Sequence, residues 1–230
     1  MGELITVTPV EILGSLNEVE AKYAPEVLYL EGDRKLLERG PRVSIVGSRK
    51  ASEAGLRRAE SIARAMAEHG IIVVSGLAEG IDRAAHEGAI IAGGRTIAVL
   101  GTPLDEVFPK ENADLQEQIG REHLLVSQFP SGQPTSRKNF PIRNRTMALL
   151  TDATVIVEAG EKSGTRHQGW ECLRLGRILF LVESVANNPD LTWPQEMIGY
   201  GAQVLSRANL DVVIENLPTL ASDGDIAAEA

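Results

Sequence analysis

The sequence predicts an α/β protein whose mostly parallel sheet carries helices on both faces. Short β-branched runs alternate with helical stretches at least five times along the chain. The run Ile71-Ile72-Val73-Val74 is continuously apolar, which is typical of a strand that is covered on both faces. The chain has 230 residues, of which 43% are hydrophobic, so it can bury one substantial core.

The first 41 residues are expected to form a helical lead-in that docks on the rest of the chain. Thr8 is a candidate N-cap, and Pro9 suits the first turn of a short helix. Residues 23–30 follow as a docking segment that ends in a short strand. The sequence thus predicts a lead-in at 1–41 and a main domain at 42–217.

The main domain is predicted to alternate strands and helices up to its end. The predicted strands cover residues 42–48, 71–74, 96–100, 124–127, 154–157, 177–182 and 203–205. The predicted helices cover residues 53–69, 81–92, 112–119, 140–150, 165–175 and 209–215. The tail at 218–230 is small and acidic, and we expect it to be disordered.

Composition excludes several classes of protein. The net charge of −9 argues against a protein that coats duplex DNA nonspecifically, so any nucleic-acid contact must be a local basic patch. The single cysteine, Cys172, excludes an intrachain disulfide and a thiolate zinc cluster. No apolar run approaches the length of a membrane span and no signal peptide is visible, so we expect a cytoplasmic protein without a membrane partner.

One segment contradicts the acidic character of the chain. No carboxylate side chain lies between Glu122 and Asp152, although the chain holds 32 of them in 230 residues. Within that gap, residues 137–145 carry four cations and Phe140 around a predicted helix start, where the helix dipole disfavours positive charge. The pattern indicates a site for phosphates and a stacked base. The alternative is a solvated helix start with Phe140 in the core.

Three glycine-containing turns follow predicted strands, and each opens a predicted helix. They are Gly47-Ser48-Arg49, the turn from Gly76 to Asp82, and the turn from Gly160 to Thr165. Ligands of open α/β sheets bind outside the carboxyl ends of the strands, and helix starts attract anions. The alternative is that glycine simply permits a tight turn. Arg49 would extend over the edge of the sheet, beside the 137–145 segment.

The residues give little support for catalysis. Asp82 and His86 are spaced for one helix face, but a helix-start carboxylate and a partly buried histidine explain them better than a catalytic dyad. His167 is a candidate ligand contact. We find no persuasive nucleophile or metal site, and therefore expect a protein that is not an enzyme and needs no cofactor.

Taken in order, the motifs resemble the DprA/Smf family, the DNA-processing proteins of bacterial natural transformation. The resemblance covers roughly residues 25–185 and is carried by Val43–Arg49, Ser75–Asp82, Thr96–Gly101, Phe140–Arg145 and Ser163-Gly164-Thr165. It implies an extended Rossmann-like domain that binds single-stranded DNA, loads the recombinase RecA and forms a homodimer. The DNA pocket that it implies comprises Ser48, Arg49, Lys138, Asn139, Phe140, Arg143, Arg145, Gly164 and Thr165.

The sequence departs from the family after Thr165. The family usually continues there with small apolar residues and Thr-Ala, whereas this chain has Arg166-His167-Gln168-Gly169-Trp170. The loop is also faintly similar to one in nucleotide-hydrolysing members of the same superfamily. The alternative function is therefore a small-nucleotide sensor or hydrolase, with a site at Gly76, Gly80, Asp82, Gly160, Ser163, Gly164, Thr165 and His167.

Overall fold

A single sheet organises the protein. The computed structural model describes residues 4–218, and within that range it contains nine strands in the order β1-β2-β6-β5-β4-β3-β7-β8-β9. The strands are β1 (Ile5–Val7), β2 (Leu28–Gly32), β3 (Arg42–Gly47), β4 (Ile72–Ser75), β5 (Thr96–Leu100), β6 (Leu124–Ser127), β7 (Ala153–Glu158), β8 (Ile178–Val182) and β9 (Gln203–Leu205). Strands β3 to β9 pair in parallel, and β1 and β2 pair antiparallel at one edge. The predicted mostly parallel sheet is confirmed.

Ten α-helices accompany the strands in the described range. They are α1 (Pro9–Leu13), α2 (Glu18–Tyr23), α3 (Glu53–Glu68), α4 (Ile81–Ile91), α5 (Ala113–Glu122), α6 (Asn139–Leu149), α7 (Thr165–Arg174), α8 (Glu183–Ala186), α9 (Trp193–Gly199) and α10 (Leu210–Glu215). Helices α3, α4 and α10 share one apolar cluster, whereas α6, α7 and α9 contribute to another. Alternate residues of β4 divide between the two clusters, with Val73 in the first and Val74 in the second. Both faces of the sheet are therefore covered, as predicted.

Local signals explain where the helices begin and end. Helix α3 starts after Ser52, whose hydroxyl accepts a hydrogen bond from the Gly55 amide at 3.0 Å, and it is followed by Gly70 at a φ of +76°. Thr8 caps α1 as predicted. The sequence analysis missed α2 because six residues show little periodicity, and its stability rests on a capping box between Asn17 and Glu20.

The lead-in contributes to the same sheet as the main domain. Strand β1 pairs with β2, and β2 pairs with β6. The domain boundary between residues 41 and 42 remains a prediction. Of the predicted disordered tail, residues 219–230 lie outside the described residues.

The order of the strands reverses at β3. From β3 the chain proceeds to β4, β5 and β6 on one side, and it then crosses back to β7, β8 and β9 on the other. Strands β3 and β7 are neighbours, and Gly47 at the end of β3 pairs with Glu158 at the end of β7. Such a switch point, where successive connections leave in opposite directions, is the place where open α/β sheets form a ligand crevice.

Candidate nucleic-acid interface

A cavity of about 520 Å³ lies at this switch point. Its walls are the turn after β3, the first two turns of α6, and the loop from β7 into α7. The sequence analysis proposed two alternative sites, and most residues of both line this one cavity. They are Ser48, Arg49, Asp82, Phe140, Arg143, Gly160, Ser163, Gly164, Thr165 and His167.

Aromatic and cationic side chains lie together at this cavity. The Arg49 guanidinium lies 5.2 Å from the centroid of the Phe140 ring, on the exposed turn after β3. Phe140 is only partly buried, so it does not belong to the core as the alternative interpretation would require. A second ring, that of Phe108, lies 5.4 Å from Phe140 and is 43% exposed. Aromatic rings and guanidinium groups are the side-chain types on which unpaired bases stack in single-strand-binding proteins.

The glycines of these turns differ in whether the folded protein could accommodate a larger residue in their place. Gly80 has a φ of +74°, and a Cβ there would lie 2.4 Å from the Ser48 carbonyl oxygen. A Cβ on Gly76 would overlap the Arg143 guanidinium. The packing of the protein explains both residues.

By contrast, Gly160 and Gly164 need no special backbone conformation. Neither has a positive φ, and a Cβ on either would meet no atom within 4 Å. Both line the cavity, so the protein's own packing does not require glycine there and the space in front of them is open to a ligand.

The start of α7 borders the cavity but offers few free amides. The Thr165 amide donates to the Ser163 hydroxyl, and the amides of Arg166 and His167 donate to carbonyls of the preceding turn. The Thr165 hydroxyl donates to the Gly47 carbonyl at 3.1 Å, which ties this loop to the end of β3. Anion attraction here therefore depends on the helix dipole and on nearby cations more than on unpaired amides.

Arg143 lines the cavity, but its guanidinium is hydrogen bonded to backbone carbonyls in the protein interior. Its side chain is buried, and Nη1 donates to the carbonyls of Gly76 at 2.5 Å and Val99 at 2.6 Å. Burial lowers the pKa of the guanidinium, and the charge of Asp82 opposes that shift. Burial likewise raises the pKa of the Asp82 carboxyl, which accepts hydrogen bonds from the Gly76 and Ala78 amides, while Arg143 favours its ionised form. The expected phosphate contact through Arg143 does not fit this placement.

Arg145 also departs from the expectation. It points away from the cavity, where its Nε lies 3.1 Å from Glu171 and its guanidinium lies 4.8 Å from the Tyr23 ring. Six residues separate it from the next carboxylate in the sequence, but folding brings Glu171 beside it. The idea that these cations lack acidic partners was therefore wrong for Arg143 and Arg145.

Two further predicted residues lie just outside the cavity wall. Asn139 is buried at the start of α6 and accepts a hydrogen bond from the Ser136 hydroxyl at 2.9 Å. Lys138 is exposed immediately before that helix. Lys138 is therefore free to contact a ligand at this end of the cavity, whereas Asn139 supports the turn.

Asp82 and His86 do not form a catalytic dyad. His86 is buried, and its Nδ1 lies 2.7 Å from the Thr96 hydroxyl. Burial lowers the pKa of His86 to about 3, so the ring stays neutral at ordinary pH. Cys172 is also buried, and burial raises the pKa of its thiol to about 12. Neither side chain is suited to act as a base or nucleophile.

The sequence analysis overlooked several lining or neighbouring residues. Phe108 lies alone in a loop, without a pattern to mark it. Lys50 and Lys162 are exposed at the cavity and directly adjoin motifs that were recognised. Gln168 is buried in the cavity wall. It belongs to residues 166–170, which differ from the family's usual sequence, and that difference could have drawn attention to it.

Two kinds of feature are absent from residues 4–218. No group of three or more histidine, cysteine or acidic side chains in that range could hold a metal ion. Within the same range, no helix is both long enough and apolar enough to cross a membrane.

Comparisons with known proteins match this chain to one protein family. Residues 8–218 match the family model for DNA recombination-mediator protein A. The chain is 32% identical over 194 residues to DNA processing protein DprA of Bacillus subtilis (strain 168), an alignment that covers 84% of this chain and 65% of that protein. This chain spans between about half and two thirds of the length of the curated relatives that it matches.

Solved structures agree with the sequence comparison. DNA processing protein A from Streptococcus pneumoniae superposes with a TM-score of 0.81 and 31% identity, over 94% of this chain and 75% of that one. DNA processing protein A from Helicobacter pylori, whose structure was described for its single-stranded DNA binding mode, gives a TM-score of 0.79 and 25% identity, over 94% and 98% of the two chains. The predicted extended Rossmann-like fold is confirmed.

Proposed function

Since the chain belongs to the DNA recombination-mediator protein A family, we propose that it binds single-stranded DNA in the cavity between β3 and β7. One observation carries the proposal most directly. Phe140 stands partly exposed at a topological switch point, and the Arg49 guanidinium lies 5.2 Å from the centroid of its ring. A base stacked on Phe140 places its phosphates near Arg49, which is the pairing that single-strand binding requires.

The phosphate contacts in this proposal differ from those expected from the sequence. Among the exposed cations at the cavity and just before α6, we assign the phosphate contacts to Arg49, Lys50, Lys138 and Lys162. Arg143 instead anchors α6 to the sheet, and Arg145 pairs with Glu171. Ser48, Gly164 and Thr165 shape the wall along which the sugar–phosphate backbone runs.

The biological role follows from family membership. We propose that the chain takes part in DNA processing during natural transformation, acts in the cytoplasm, works as a homodimer and delivers the strand to RecA. We also propose a binding role without catalysis, because the buried His86 and Cys172 supply neither a base nor a nucleophile.

Oligonucleotide affinity as a function of salt tests the proposal. Stacking contributes about 1–3 kcal/mol per base, so Phe140→Ala should weaken binding about 5- to 150-fold. Four phosphate contacts give a log–log salt slope of about −3 for a single strand. Tyr200→Ala, which removes an aromatic side chain that is 70% exposed elsewhere on the surface, is the matched control and should bind normally. A flat salt response, or full affinity in Phe140→Ala, would contradict the proposal.

A small-nucleotide sensor is the second candidate. It is favoured by the open space in front of Gly160 and Gly164, which would accommodate a free phosphate as well as a strand. Thermal-shift measurements with mononucleotides separate the two functions. Stabilisation by several degrees without oligonucleotide binding would favour the sensor.

A further inference from the structure

The Gln168 side chain has an unusual environment. It lies one turn into α7, on the face shared with Gly164 and Thr165, and is 1% exposed. It lines the cavity, yet neither Nε2 nor Oε1 has a hydrogen-bond partner. Among the side chains of residues 4–218, it is the one amide with both polar atoms buried and unpaired.

A second buried glutamine shows what a purely structural amide looks like. Gln116 is 4% exposed, and although its Oε1 is unpaired, its Nε2 donates to the carbonyls of Leu104 and Glu106. It thereby holds two parts of a loop together. Gln168 makes no such contact, although an unpaired buried amide lowers stability and an apolar side chain of the same length would fill its place. The position is thus destabilising in the free protein, which is typical of a residue kept for a ligand.

The chemistry of the amide indicates which part of a nucleotide it meets. An amide presents one acceptor beside two donors, whereas a phosphate only accepts, so a phosphate would leave Oε1 unpaired. A nucleobase edge presents donors and acceptors side by side and can satisfy both atoms at once. The exposed cations Arg49 and Lys162 are available for the phosphates instead.

We propose that Gln168 hydrogen bonds the edge of one nucleobase that enters the cavity, and that this contact adds affinity for bases that have a hydrogen-bonding edge. This inference rests on the proposed function. The cavity volume of about 520 Å³ lies within the usual range of small-molecule sites. Both amide atoms are covered in the ligand-free protein, so the side chain turns toward the base as it enters.

Thymine is the sharpest probe because its N3–H donor lies between two carbonyl acceptors, so that the amide can pair on either side of it. We compare oligothymidylate with an oligomer of the same length in which difluorotoluene, a ring of the same shape without a hydrogen-bonding edge, replaces thymine. A two-bond contact of this type discriminates by about 1–3 kcal/mol, so the wild-type protein should prefer oligothymidylate about 5- to 150-fold. In Gln168→Met that ratio should fall close to one.

The stability of the ligand-free protein provides a second readout. Gln168→Met removes the unpaired amide and should raise the melting temperature by about 2–4 °C for each kcal/mol regained. The same change at the paired glutamine, Gln116→Met, should lower it. A residue with only a structural role would not combine higher stability with lost base discrimination.

The outcomes separate this inference from the proposed function. If neither oligomer binds the wild-type protein, both are wrong. If oligothymidylate binds but the wild-type protein does not distinguish the two oligomers, or Gln168→Met keeps the wild-type ratio, this inference alone is overturned. A lower melting temperature in Gln168→Met would overturn it as well.

Discussion

Arg143→Met is expected to destabilise the protein strongly and to leave the salt dependence of DNA binding unchanged. The guanidinium is buried, pairs with the Gly76 and Val99 carbonyls, and is the main cation acting on buried Asp82. Removing the guanidinium leaves both carbonyls without this donor and the buried Asp82 carboxylate without its main compensating charge, and an uncompensated buried charge costs about 3–5 kcal/mol. For a chain of this size, that corresponds to a fall in melting temperature of about 6–20 °C.

The destabilisation should itself depend on pH. In Arg143→Met, burial still raises the pKa of Asp82, while the opposing effect of the guanidinium is gone. The folded variant then binds a proton at a pH where the unfolded chain does not. Its free energy of unfolding, measured relative to the wild-type protein, should therefore recover as the pH falls from about 7.5 to about 5.

Urea unfolding at both pH values and oligonucleotide titrations at several salt concentrations test this prediction. Arg49→Met is the matched control, since it removes an exposed arginine at the same cavity. That variant should keep its stability and lose about 0.7 of the log–log salt slope, the value for one phosphate contact. If Arg143→Met kept wild-type stability and lost the same increment of slope, Arg143 would be a phosphate contact and the reasoning from its burial would be wrong.

Three further predictions concern the cavity and the core. Gly164→Ala should weaken DNA binding without loss of stability, because the space in front of Gly164 is open and its φ is ordinary. Gly80→Ala should instead destabilise the protein by about 1–3 kcal/mol through strain at its positive φ. Oligonucleotide titration and urea unfolding of both variants test this contrast. Phe108→Ala should reduce affinity about 5- to 150-fold for oligomers long enough to cover both rings and leave mononucleotide binding unchanged, as a length series would show. Because the pKa of His86 is about 3 in the folded protein and near 6.5 when unfolded, the free energy of unfolding should fall by about 2 kcal/mol between about pH 7.5 and about pH 5, and His86→Gln should lack most of that loss.

The fold was predictable because its signals are local and repeated. Apolar runs such as residues 71–74 mark buried strands, and helices such as α3 carry a periodic apolar face between a capping serine and a terminal glycine. Elements without such signals were missed. Helices α2 and α9 are short, and α9 is held by the burial of Trp193 and Met197 in a core assembled from distant segments.

The candidate site was predictable only in part, because the charged groups that surround a side chain in the fold are often distant from it in the sequence. The stretch around Phe140 holds no carboxylate, yet folding brings the charge of Asp82 within range of Arg143 and pairs Glu171 with Arg145. Glycines show the same limit. Gly80 and Gly164 look alike in the sequence, and only the coordinates reveal that one has a positive φ while the other faces open space.

The acidity of the chain does not decide whether it can bind a polyanion. At physiological ionic strength the Debye length is about 8 Å, so exposed carboxylates beyond that distance are largely screened. Two acids near the cavity have hydrogen-bond partners within the protein, Asp82 in the Gly76 and Ala78 amides and Glu158 in the Ser52 amide and hydroxyl, whereas Glu79 is exposed. A strand at the cavity therefore meets exposed cations, while the net charge of −9 acts mainly at long range. Which charges remain exposed at the switch point, more than the net charge, determines what this chain can bind.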